Sequence, residues 1–309
     1  MSDLRAAFGA RLKTGEPLAR YTSARVGGPA DFLASANSAG ELAELVRSAW
    51  RLGFQPVILG GGSNVLVSDA GVRGLVILNR ARAIEFNVAS QDGRPAVWAE
   101  SGVNLGSLAR QCGARGLGGL EWAATVPGTL GGAVFGNAGA HNGDLAGSLV
   151  LAEILQHDGT VRRWTHSELG FAYRTSRLKQ LKAQGRPQVV LGAELALSAG
   201  VPEALQATVE QFVTHRKRTQ PPGASMGSMF KNPPGDFAGR LIEAAGLKGA
   251  RRGQAEISGL HANFFVNLGE ARAADVLALI HKAHAAVLQK FGVDLELEVE
   301  LIGDWGGQC

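Results

Sequence analysis

Two stretches of this sequence carry polar side chains that could do acid, base or anion-binding chemistry. Ser228 follows Gly227, and a hydroxyl group on a glycine turn can exchange a proton with a bound molecule. Arg174 and Arg177 lie three residues apart beside Tyr173, and two guanidinium groups could hold a carboxylate or a phosphate through forked hydrogen bonds. A turn serine and a pair of solvated arginines are the structural alternatives, and the residues alone leave both open.

The end of the chain alternates strictly between apolar and acidic side chains. The run Leu295–Leu301 predicts a strand with leucine and valine on the buried face and the acidic side chains on the other. A catalytic carboxyl group and a solvated face would both give this pattern. The spacing does not choose among Glu296, Glu298 and Glu300.

Other common kinds of active site find no support in the sequence. His281 and His284 share a helix face, but no third ligand lies at a sensible spacing, so a metal is not expected. There is no Gly-x-Ser-x-Gly motif, which argues against a serine hydrolase. The two cysteines, Cys112 and Cys309, form no C-x-x-C and lack a local activating signature.

Two glycine-rich runs could present main-chain amides to an anion. Five of the fourteen residues of Pro127–Ala140 are glycine, and Gly60–Asn64 is a second run directly after a predicted strand. Glycine lets the backbone turn sharply and approach another group closely, and such loops can form concave anion sites. A cofactor with a diphosphate group is therefore one interpretation. A packed core loop for the first run and a hairpin turn for the second are the alternatives.

The elements that must position these residues follow from hydrophobic periodicity and from capping residues. Helices are predicted over Leu4–Leu12, Gly40–Leu52, 105–116 behind an Asn104 cap, Pro202 into the basic run 215–222, Phe237–Ala245 and Ala273–Phe291. Strands are predicted in Tyr21–Phe32 around a Gly-Gly-Pro turn, and at Val57–Leu59, Val65–Val67, Leu75–Leu78, Ala96–Glu100, Leu149–Gln156 paired with Val161–Thr165, Val189–Leu197 and Ala262–Asn267. A change of composition at Ser198–Pro202 predicts a domain boundary.

Length and composition indicate an ordinary globular protein. The 309 residues favour two domains, and 45% are hydrophobic while 19% are charged. The net charge of +4 suits an anionic substrate but is too small to indicate nucleic acid. Two cysteines without a disulfide pattern favour a reducing compartment, and the first residues lack the apolar core of a signal peptide. We therefore expect a cytoplasmic protein.

Six motifs in register resemble the UDP-N-acetylenolpyruvoylglucosamine reductases, flavoenzymes that make UDP-N-acetylmuramic acid for bacterial peptidoglycan. Each motif alone is weak, but together they follow the family's order and span nearly the whole chain. They are Gly60–Asn64, Pro127–Ala140, Tyr173–Ser176, Gly227–Pro233, Ser258–Asn267 and Leu297–Gly303.

The resemblance implies an α+β fold, with the FAD-binding fold of the vanillyl-alcohol-oxidase class followed by a C-terminal α+β substrate domain. Residues 1–200 would form the FAD-binding domain, with subdomains of about 1–79 and 80–200. Residues 201–309 would form the substrate domain, with its final strand returning to the flavin site. FAD would be non-covalent, because Gly60–Asn64 contains no histidine to tether it. The implied cofactor-binding residues are Gly60, Gly61, Gly62, Ser63, Asn64, Val65, Pro127, Gly128, Thr129, Gly131, Gly132, Ala133 and Asn137.

The resemblance also implies an NADPH-dependent reduction in two halves. Hydride would pass from NADPH to FAD, and then to C3 of the enolpyruvyl ether of a UDP-sugar. Carried over by motif, Ser228 would protonate the resulting enolate at C2, while Arg174 and Glu298 polarise the substrate carboxylate. Two carboxyl groups can face each other only if Glu298 is protonated, which burial and a like charge favour. The implied substrate contacts are Tyr173, Lys231 and Asn232.

The chain also departs from the family pattern. Tyr21 and Tyr173 are its only tyrosines, so it lacks the tyrosine that covers the substrate in the longer subgroup, and His141 stands where many members have tyrosine. The alternatives are another FAD oxidoreductase of the same fold and a non-catalytic nucleotide-binding module. The Ser228–Asn232 motif argues against the first, and the intact catalytic residues argue against the second. We expect a monomer whose partner is the UDP-sugar enolpyruvate, with neither nucleic acid nor membrane involved.

Overall fold

A computed structural model describes residues 4–5, 8–89 and 93–307 of the chain. The chain forms two compact units, neither of them continuous in sequence. Unit 1 comprises residues 1–12, 34–61 and 76–216, and unit 2 comprises 13–33, 62–75 and 217–309. The predicted helix Leu4–Leu12 includes residues 6 and 7, which lie outside the described residues. Leu4 and Phe8 are buried, and a 3₁₀ turn follows at Gly9–Arg11.

The helices are α1 Ala39–Arg51, α2 Leu105–Gly113, α3 Leu130–Gly136, α4 His166–Leu169, α5 Arg177–Ala183, α6 Pro202–Thr219, α7 Ala238–Ala244 and α8 Ala273–Phe291. Five helices, α1, α2, α6, α7 and α8, begin and end close to the predicted positions, whereas α3, α4 and α5 were not predicted. The predicted Asn104 cap is confirmed, because the Ser107 amide donates to the Asn104 side chain. The structure adds a cap that was not predicted, in which the Glu41 amide donates to the Ser38 side chain. Within the described ranges, no helix has both the length and the apolar composition needed to cross a lipid bilayer.

The strands are short. They are β1 Lys13–Pro17, β2 Pro29–Ala36, β3 Val57–Leu59, β4 Val65–Val67, β5 Val72–Asn79, β6 Ile84–Ala89, β7 Pro95–Glu100, β8 Leu117–Gly118, β9 Gly139–Ala140, β10 Gly143–Asp144, β11 Leu149–Leu155, β12 Val161–Thr165, β13 Val189–Ala196, β14 Ser198–Ala199, β15 Ala224–Ser228, β16 Arg251–Arg252, β17 Ala255–Ile257, β18 Phe264–Asn267 and β19 Glu300–Ile302.

Unit 1 is built on a five-stranded antiparallel sheet with the order β12-β11-β13-β7-β6. The predicted hairpin is confirmed as β11 and β12, with Leu155 opposite Val161. Helices α2 and α3 contribute apolar side chains to the core of this unit, including Leu105, Leu108, Leu130 and Val134. In the same unit, β3 pairs in parallel with the second half of β5.

Unit 2 contains an antiparallel sheet with the order β15-β18-β17-β16 and a parallel pair of β4 with β19. The long helix α8 buries one face, because its apolar residues recur at helical spacing. The core of this unit joins side chains distant in sequence, with Val26 and Leu66 in one cluster with Phe230, Phe265 and Leu277.

Two predictions of local structure are wrong, and one of the alternatives is excluded. Tyr21 lies in a 3₁₀ turn, Leu18–Tyr21, so only the second predicted strand of Tyr21–Phe32 forms, as β2. Gly60–Asn64 is not a hairpin turn, because β3 pairs with β5 whereas β4 pairs with β19. The alternating run Leu295–Leu301 is not a continuous strand. Its regular part is β19, and Leu297 makes only an isolated bridge with Phe230.

Candidate active site

The two glycine-rich runs meet in unit 1, where Gly60 and Gly61 pack against Gly128 and Thr129 of Pro127–Ala140. A Cβ atom added to Gly60 would lie 2.3 Å from the Thr129 Oγ1, and one added to Gly61 would lie 2.9 Å from the Gly128 Cα. Real Cβ atoms do not approach this closely, so only glycine fits at these two positions. Tight packing, the alternative given for Pro127–Ala140, therefore occurs where that run meets Gly60 and Gly61, and it brings the two predicted cofactor loops together.

Packing does not account for Gly132. It lies in the first turn of α3, where a Cβ atom would meet nothing closer than the Thr129 Oγ1 at 3.8 Å. The neighbouring Gly131 differs, since its Cβ would be 2.9 Å from the Ser101 side chain. The amides of a first helical turn have no carbonyl partner within the helix. The amides of Leu130 and Gly131 already donate to the carbonyls of Val103 and Ser101, so Gly132 contributes open space beside the main chain and not a set of free amides. The sequence did not predict α3, and its formation explains the apolar spacing of Leu130 and Val134.

Asn137 ends α3 in the left-handed conformation, with φ of 45°. Its buried carboxamide donates to the Asp144 carboxylate and to the carbonyl of Ala172, both at 3.1 Å, and accepts from the amide of Ala146. The side chain thus joins three segments of unit 1. Its predicted contact with a cofactor remains a prediction.

Arg174 is held against the glycine run. Its guanidinium group donates to the carbonyl oxygens of Gly139 at 2.7 Å and Asn137 at 3.4 Å, and lies over the ring of Tyr173. Its backbone is left-handed, with φ of 55°, which is a costly conformation for a residue with a side chain. Strain of this kind concentrates at functional positions, so the observation favours a functional arginine over a solvated one. Tyr173 is half exposed.

In unit 2, the rest of the Gly60–Asn64 run is bonded to the end of the chain. Gly62 has φ of 59°, and a Cβ atom there would lie 2.1 Å from the Tyr21 carbonyl oxygen. Asn64 donates from Nδ2 to the carbonyl of Glu298 at 3.1 Å, while its own carbonyl accepts from the amide of Glu300. Val65 then begins the pairing of β4 with β19, so this loop fixes the segment that carries Glu298. Ser63, a further predicted cofactor residue, lies between Gly62 and Asn64 and is partly buried.

The structure brings the segments of Ser228 and Glu298 side by side. Ser228 ends β15 opposite Phe264, and the carbonyl of the next residue, Met229, accepts a hydrogen bond of 2.9 Å from the amide of Glu298. Both Ser228 and Glu298 are partly buried. Leu295 and Val299 flank Glu298 in the core of unit 2 and hold it in place.

The two other predicted substrate residues have partners in unit 2. Lys231 is 13% exposed and pairs with the carboxylate of Glu296, while its amide donates to the Glu296 carbonyl. Asn232 accepts through its side-chain oxygen from the amide of Ala238, the first residue of α7. The structure thus separates the three terminal glutamates: Glu296 pairs with lysine, Glu300 enters β19, and Glu298 lies next to the serine segment.

The remaining titratable candidates are structural. Burial raises the pKa of the Cys112 thiol to about 12, so it is not a nucleophile. Among the described residues, no group of three or more His, Cys, Asp and Glu side chains could hold a metal ion. His141 stacks on Phe212 with 4.1 Å between ring centroids. Its pKa is lowered, first by burial and then by the nearby charges of His215 and Arg216.

Comparisons with known proteins identify the family to which this chain is similar. Residues 30–165 match the family model of an FAD binding domain, and residues 218–302 match that of the UDP-N-acetylenolpyruvoylglucosamine reductase C-terminal domain. The chain is 45% identical to the UDP-N-acetylenolpyruvoylglucosamine reductase of Chloroflexus aggregans, over 94% of this chain and 97% of that protein. It is 46% identical to reductase 2 of Symbiobacterium thermophilum, over 96% and 92%. The crystal structure of the reductase from Thermus caldophilus superimposes with a TM-score of 0.76 at 37% identity, covering 94% of this chain and 98% of that one.

The matched domains and the site define an FAD-dependent oxidoreductase. The predicted α+β fold, with the FAD-binding fold of the vanillyl-alcohol-oxidase class, is confirmed. At this identity and coverage, the chain belongs to the UDP-N-acetylenolpyruvoylglucosamine reductase family, whose members act in peptidoglycan synthesis. This result favours the reductase over the two alternatives that the sequence left open.

The residues present fit FAD. Gly60 and Gly61 allow two loops to meet through their backbones, and Gly132 leaves space that the protein does not fill. A diphosphate group that lies on the main chain needs such space, without side chains in the way. The predicted residues Gly60–Val65, Pro127–Thr129 and Gly131–Ala133 would hold it.

Proposed function

We propose that this protein reduces the enolpyruvyl ether of a UDP-N-acetylglucosamine enolpyruvate with NADPH as the hydride donor, and that Ser228, Arg174 and Glu298 are its catalytic residues. Bound FAD would supply the redox chemistry, which is the relay of hydride from the nicotinamide to the enolpyruvyl carbon. The chain's own residues must then bind the substrate carboxylate, stabilise charge at C2 and supply a proton there. The hydrogen bond from the Glu298 amide to the Met229 carbonyl carries the proposal, because it sets the glutamate beside the serine segment.

Arg174 is the proposed anchor for the substrate carboxylate. A guanidinium group is always charged and binds carboxylates in a forked geometry. Its contacts with the carbonyls of Asn137 and Gly139 hold the group in place before the substrate arrives. Such preorganisation lowers the cost of stabilising charge that develops during the reaction. Tyr173, Lys231 and Asn232 are proposed to bind the rest of the substrate.

Glu298 and Ser228 are proposed to act on protons. In its protonated form, the Glu298 carboxyl group donates a hydrogen bond to the substrate carboxylate and withdraws charge from C2 as the enolate forms. Ser228 then gives its hydroxyl proton to C2, which completes the addition of hydrogen across the double bond. General acid catalysis of this kind contributes roughly 10²–10⁴-fold.

The proposal extends to the surroundings of the reaction. We assign FAD binding to residues 1–200, with subdomains of about 1–79 and 80–200, and substrate binding to 201–309. We further propose a cytoplasmic monomer that needs neither nucleic acid nor membrane. Two cysteines without a disulfide pattern support the cytoplasmic location, and the small net charge supports the absence of a nucleic-acid partner.

The test separates the two half-reactions in the variant Ser228→Ala. Reduction of the bound flavin by NADPH, followed as bleaching in anaerobic stopped flow, should keep its wild-type rate. Reoxidation by the enolpyruvyl substrate should slow by at least about 10²-fold, because only this step uses the proton. Ser225→Ala, on the same strand β15, is the matched control and should leave both rates unchanged. Equal slowing of both half-reactions in Ser228→Ala would overturn the assignment of the serine.

A further inference from the structure

Asn263 is a buried polar residue for which the sequence predicted no role, although it lies within Ser258–Asn267, one of the six motifs that resemble the reductase family. Its side chain is bonded to the main chain of Phe230 in both directions. The Phe230 amide donates to Oδ1 over 2.9 Å, and Nδ2 donates to the Phe230 carbonyl over 2.8 Å. The main chain of Asn263 contributes a third bond, from the amide of Met229 to its carbonyl, over 2.8 Å. Asn263 is 2% exposed.

The side chain takes the place of a missing strand partner. Ser228 and Phe264 are the last pair of β15 with β18, because the chain before Phe264 turns, with its amide donating to the His261 carbonyl. No main chain on that side can therefore pair with Phe230, which is 1% exposed. A carboxamide carries the same donor and acceptor as a peptide group. Asn263 thus satisfies both polar groups of a buried residue that would otherwise lose hydrogen bonds on folding.

The opposite edge of the same segment carries the other catalytic residue. The Met229 carbonyl accepts from the Glu298 amide, and the Lys231 amide donates to the Glu296 carbonyl. The three residues after Ser228 are therefore held between Asn263 on one side and 296–298 on the other. A shift of this segment would move the serine and the glutamate together.

We propose that Asn263 is a positioning residue for Ser228 and Glu298, which it sets in register through the main chain of Met229 and Phe230. The inference rests on the proposed function, because it takes Ser228 as the proton donor. Asn263 itself does not touch the reacting atoms. Its removal should affect the protonation step and leave the hydride transfer from NADPH to FAD intact.

The primary experiment compares Asn263→Ala with Asn267→Ala in the FAD-loaded protein. Asn267 is the matched control, since it lies at the other end of β18, where its side chain bonds to the Ala24 carbonyl and to the amides of Gly269 and Ala271. Asn263→Ala should slow substrate-dependent reoxidation by about 10²-fold, the loss typical of a small misplacement of reacting groups. Asn267→Ala should not. Flavin reduction by NADPH should keep its rate in both variants.

A second readout is independent of activity. Hydrogen–deuterium exchange of a peptide containing Met229 and Phe230 should become faster in Asn263→Ala and stay protected in Asn267→Ala. Unchanged protection would overturn the inference, because the segment would then be held without the asparagine. If Asn263→Ala does not retain flavin, Asn263→Ser, which keeps one hydroxyl group, replaces it. Failure of both variants to retain flavin, with Asn267→Ala intact, would show a general folding role and overturn the inference as well.

The double variant Ser228→Ala/Asn263→Ala separates this inference from the proposed function. If Asn263 acts through Ser228, its substitution should cause little further slowing of reoxidation once the serine is absent. Full additivity of the two losses would contradict a positioning role. If Ser228→Ala alone leaves reoxidation at the wild-type rate, it is the proposed function that fails. If Ser228→Ala slows reoxidation but Asn263→Ala does not, only the inference fails.

Discussion

Asn64 donates a hydrogen bond of 3.1 Å from its side-chain Nδ2 to the carbonyl oxygen of Glu298, a residue 234 positions later in the chain. The carbonyl of Asn64 accepts from the amide of Glu300. One residue of a loop predicted to bind the cofactor therefore also fixes the segment that carries a proposed catalytic acid. Its main-chain groups and its side chain can be tested separately, because substitution by alanine removes only the latter.

Asn64→Ala should retain FAD and slow the reaction with substrate. The main-chain amides of the loop remain in this variant, whereas the side-chain hydrogen bond to the Glu298 carbonyl is lost. We expect reoxidation by the enolpyruvyl substrate to slow by about tenfold or more, since misplacement of a catalytic group is costly. Flavin content from the absorbance spectrum and stopped-flow reoxidation of the same sample provide the comparison. Loss of flavin with an unchanged reoxidation rate would instead assign the side chain to the cofactor.

Gly132→Val should weaken FAD retention without unfolding the protein. The space around Gly132 admits a Cβ atom, so the protein itself tolerates the change, whereas a diphosphate lying on the main chain would not. The measurement is the ratio of flavin to protein absorbance after gel filtration. Gly40→Val is the matched control, because Gly40 also lies in the first turn of a helix with its nearest neighbour 3.9 Å away. Equal flavin content in the two variants would mean that the α3 run is purely structural.

Protonation of His261 should make unit 2 less stable as the pH falls below about 6.5. Burial is the main cause of its lowered pKa and Lys248 lowers it further, while a backbone hydrogen bond and the charge of Glu243 oppose the shift. Its Nδ1 accepts the amide of Asn263 at 3.2 Å, which requires the neutral ring. The unfolded chain, with a histidine pKa of about 6.5, binds this proton at a higher pH than the folded chain does. The contribution of His261 to the free energy of unfolding is therefore complete above about pH 6.5 and decreases as the pH falls toward the lowered pKa of the folded state.

Urea denaturation at pH 7.5 and 5.5 tests this expectation. The decrease in the free energy of unfolding between the two pH values should be smaller in His261→Gln than in the wild type, because the variant has no ring to protonate. The difference between the two proteins excludes the contribution of His141, whose pKa is also lowered, because both proteins contain that residue. An identical decrease in both proteins would show that His261 has no part in the pH dependence.

Asp69 should contribute to stability as a cap supplied from outside the helix. Its carboxylate accepts from the amides of Ala273 and Ala274, the first residues of α8, at 2.8 and 3.0 Å. Asp69→Ala should lower the free energy of unfolding by about 1–2 kcal/mol, as loss of a helix cap does. Asp69→Asn keeps one acceptor oxygen and should lose less. Equal losses in thermal or urea unfolding would contradict this ranking and show that the single oxygen kept by asparagine contributes nothing.

Local signals in the sequence predicted much of the fold. The bounds of α8 were predicted without error, because its apolar residues repeat over five turns and Gly292 ends it. The hairpin of β11 and β12 followed from its turn residues. The alternating run Leu295–Leu301 was wrongly predicted as one strand, because a continuous strand also needs a continuous partner strand. Here residues 296–298 lie beside 229–231, and residues 300–302 pair instead with β4.

The site was predicted less from physics than from resemblance. Spacing alone could not select Glu298, whereas the structure distinguishes it by its neighbours. The left-handed backbone of Arg174 leaves no trace in the sequence, because arginine has no preference for that conformation. Asn263 was missed for a related reason. A single asparagine among Ala262, Phe264 and Phe265 is an unusual polar residue in an apolar run, but its partner Phe230 is distant in sequence.

The parallel pairing of β4 with β19 affects how the protein is made. Leu66 pairs with Leu301, and a ribosome that adds about 5–20 residues per second needs roughly 10–50 s to make the chain between them. Until then Leu66 and its neighbours on β4 have no partner strand in unit 2. Unit 1 has all of its segments by Arg216 and can fold while synthesis continues. The segment that carries the glutamate proposed for catalysis can therefore reach its place beside β4 only after the whole chain between them has been made.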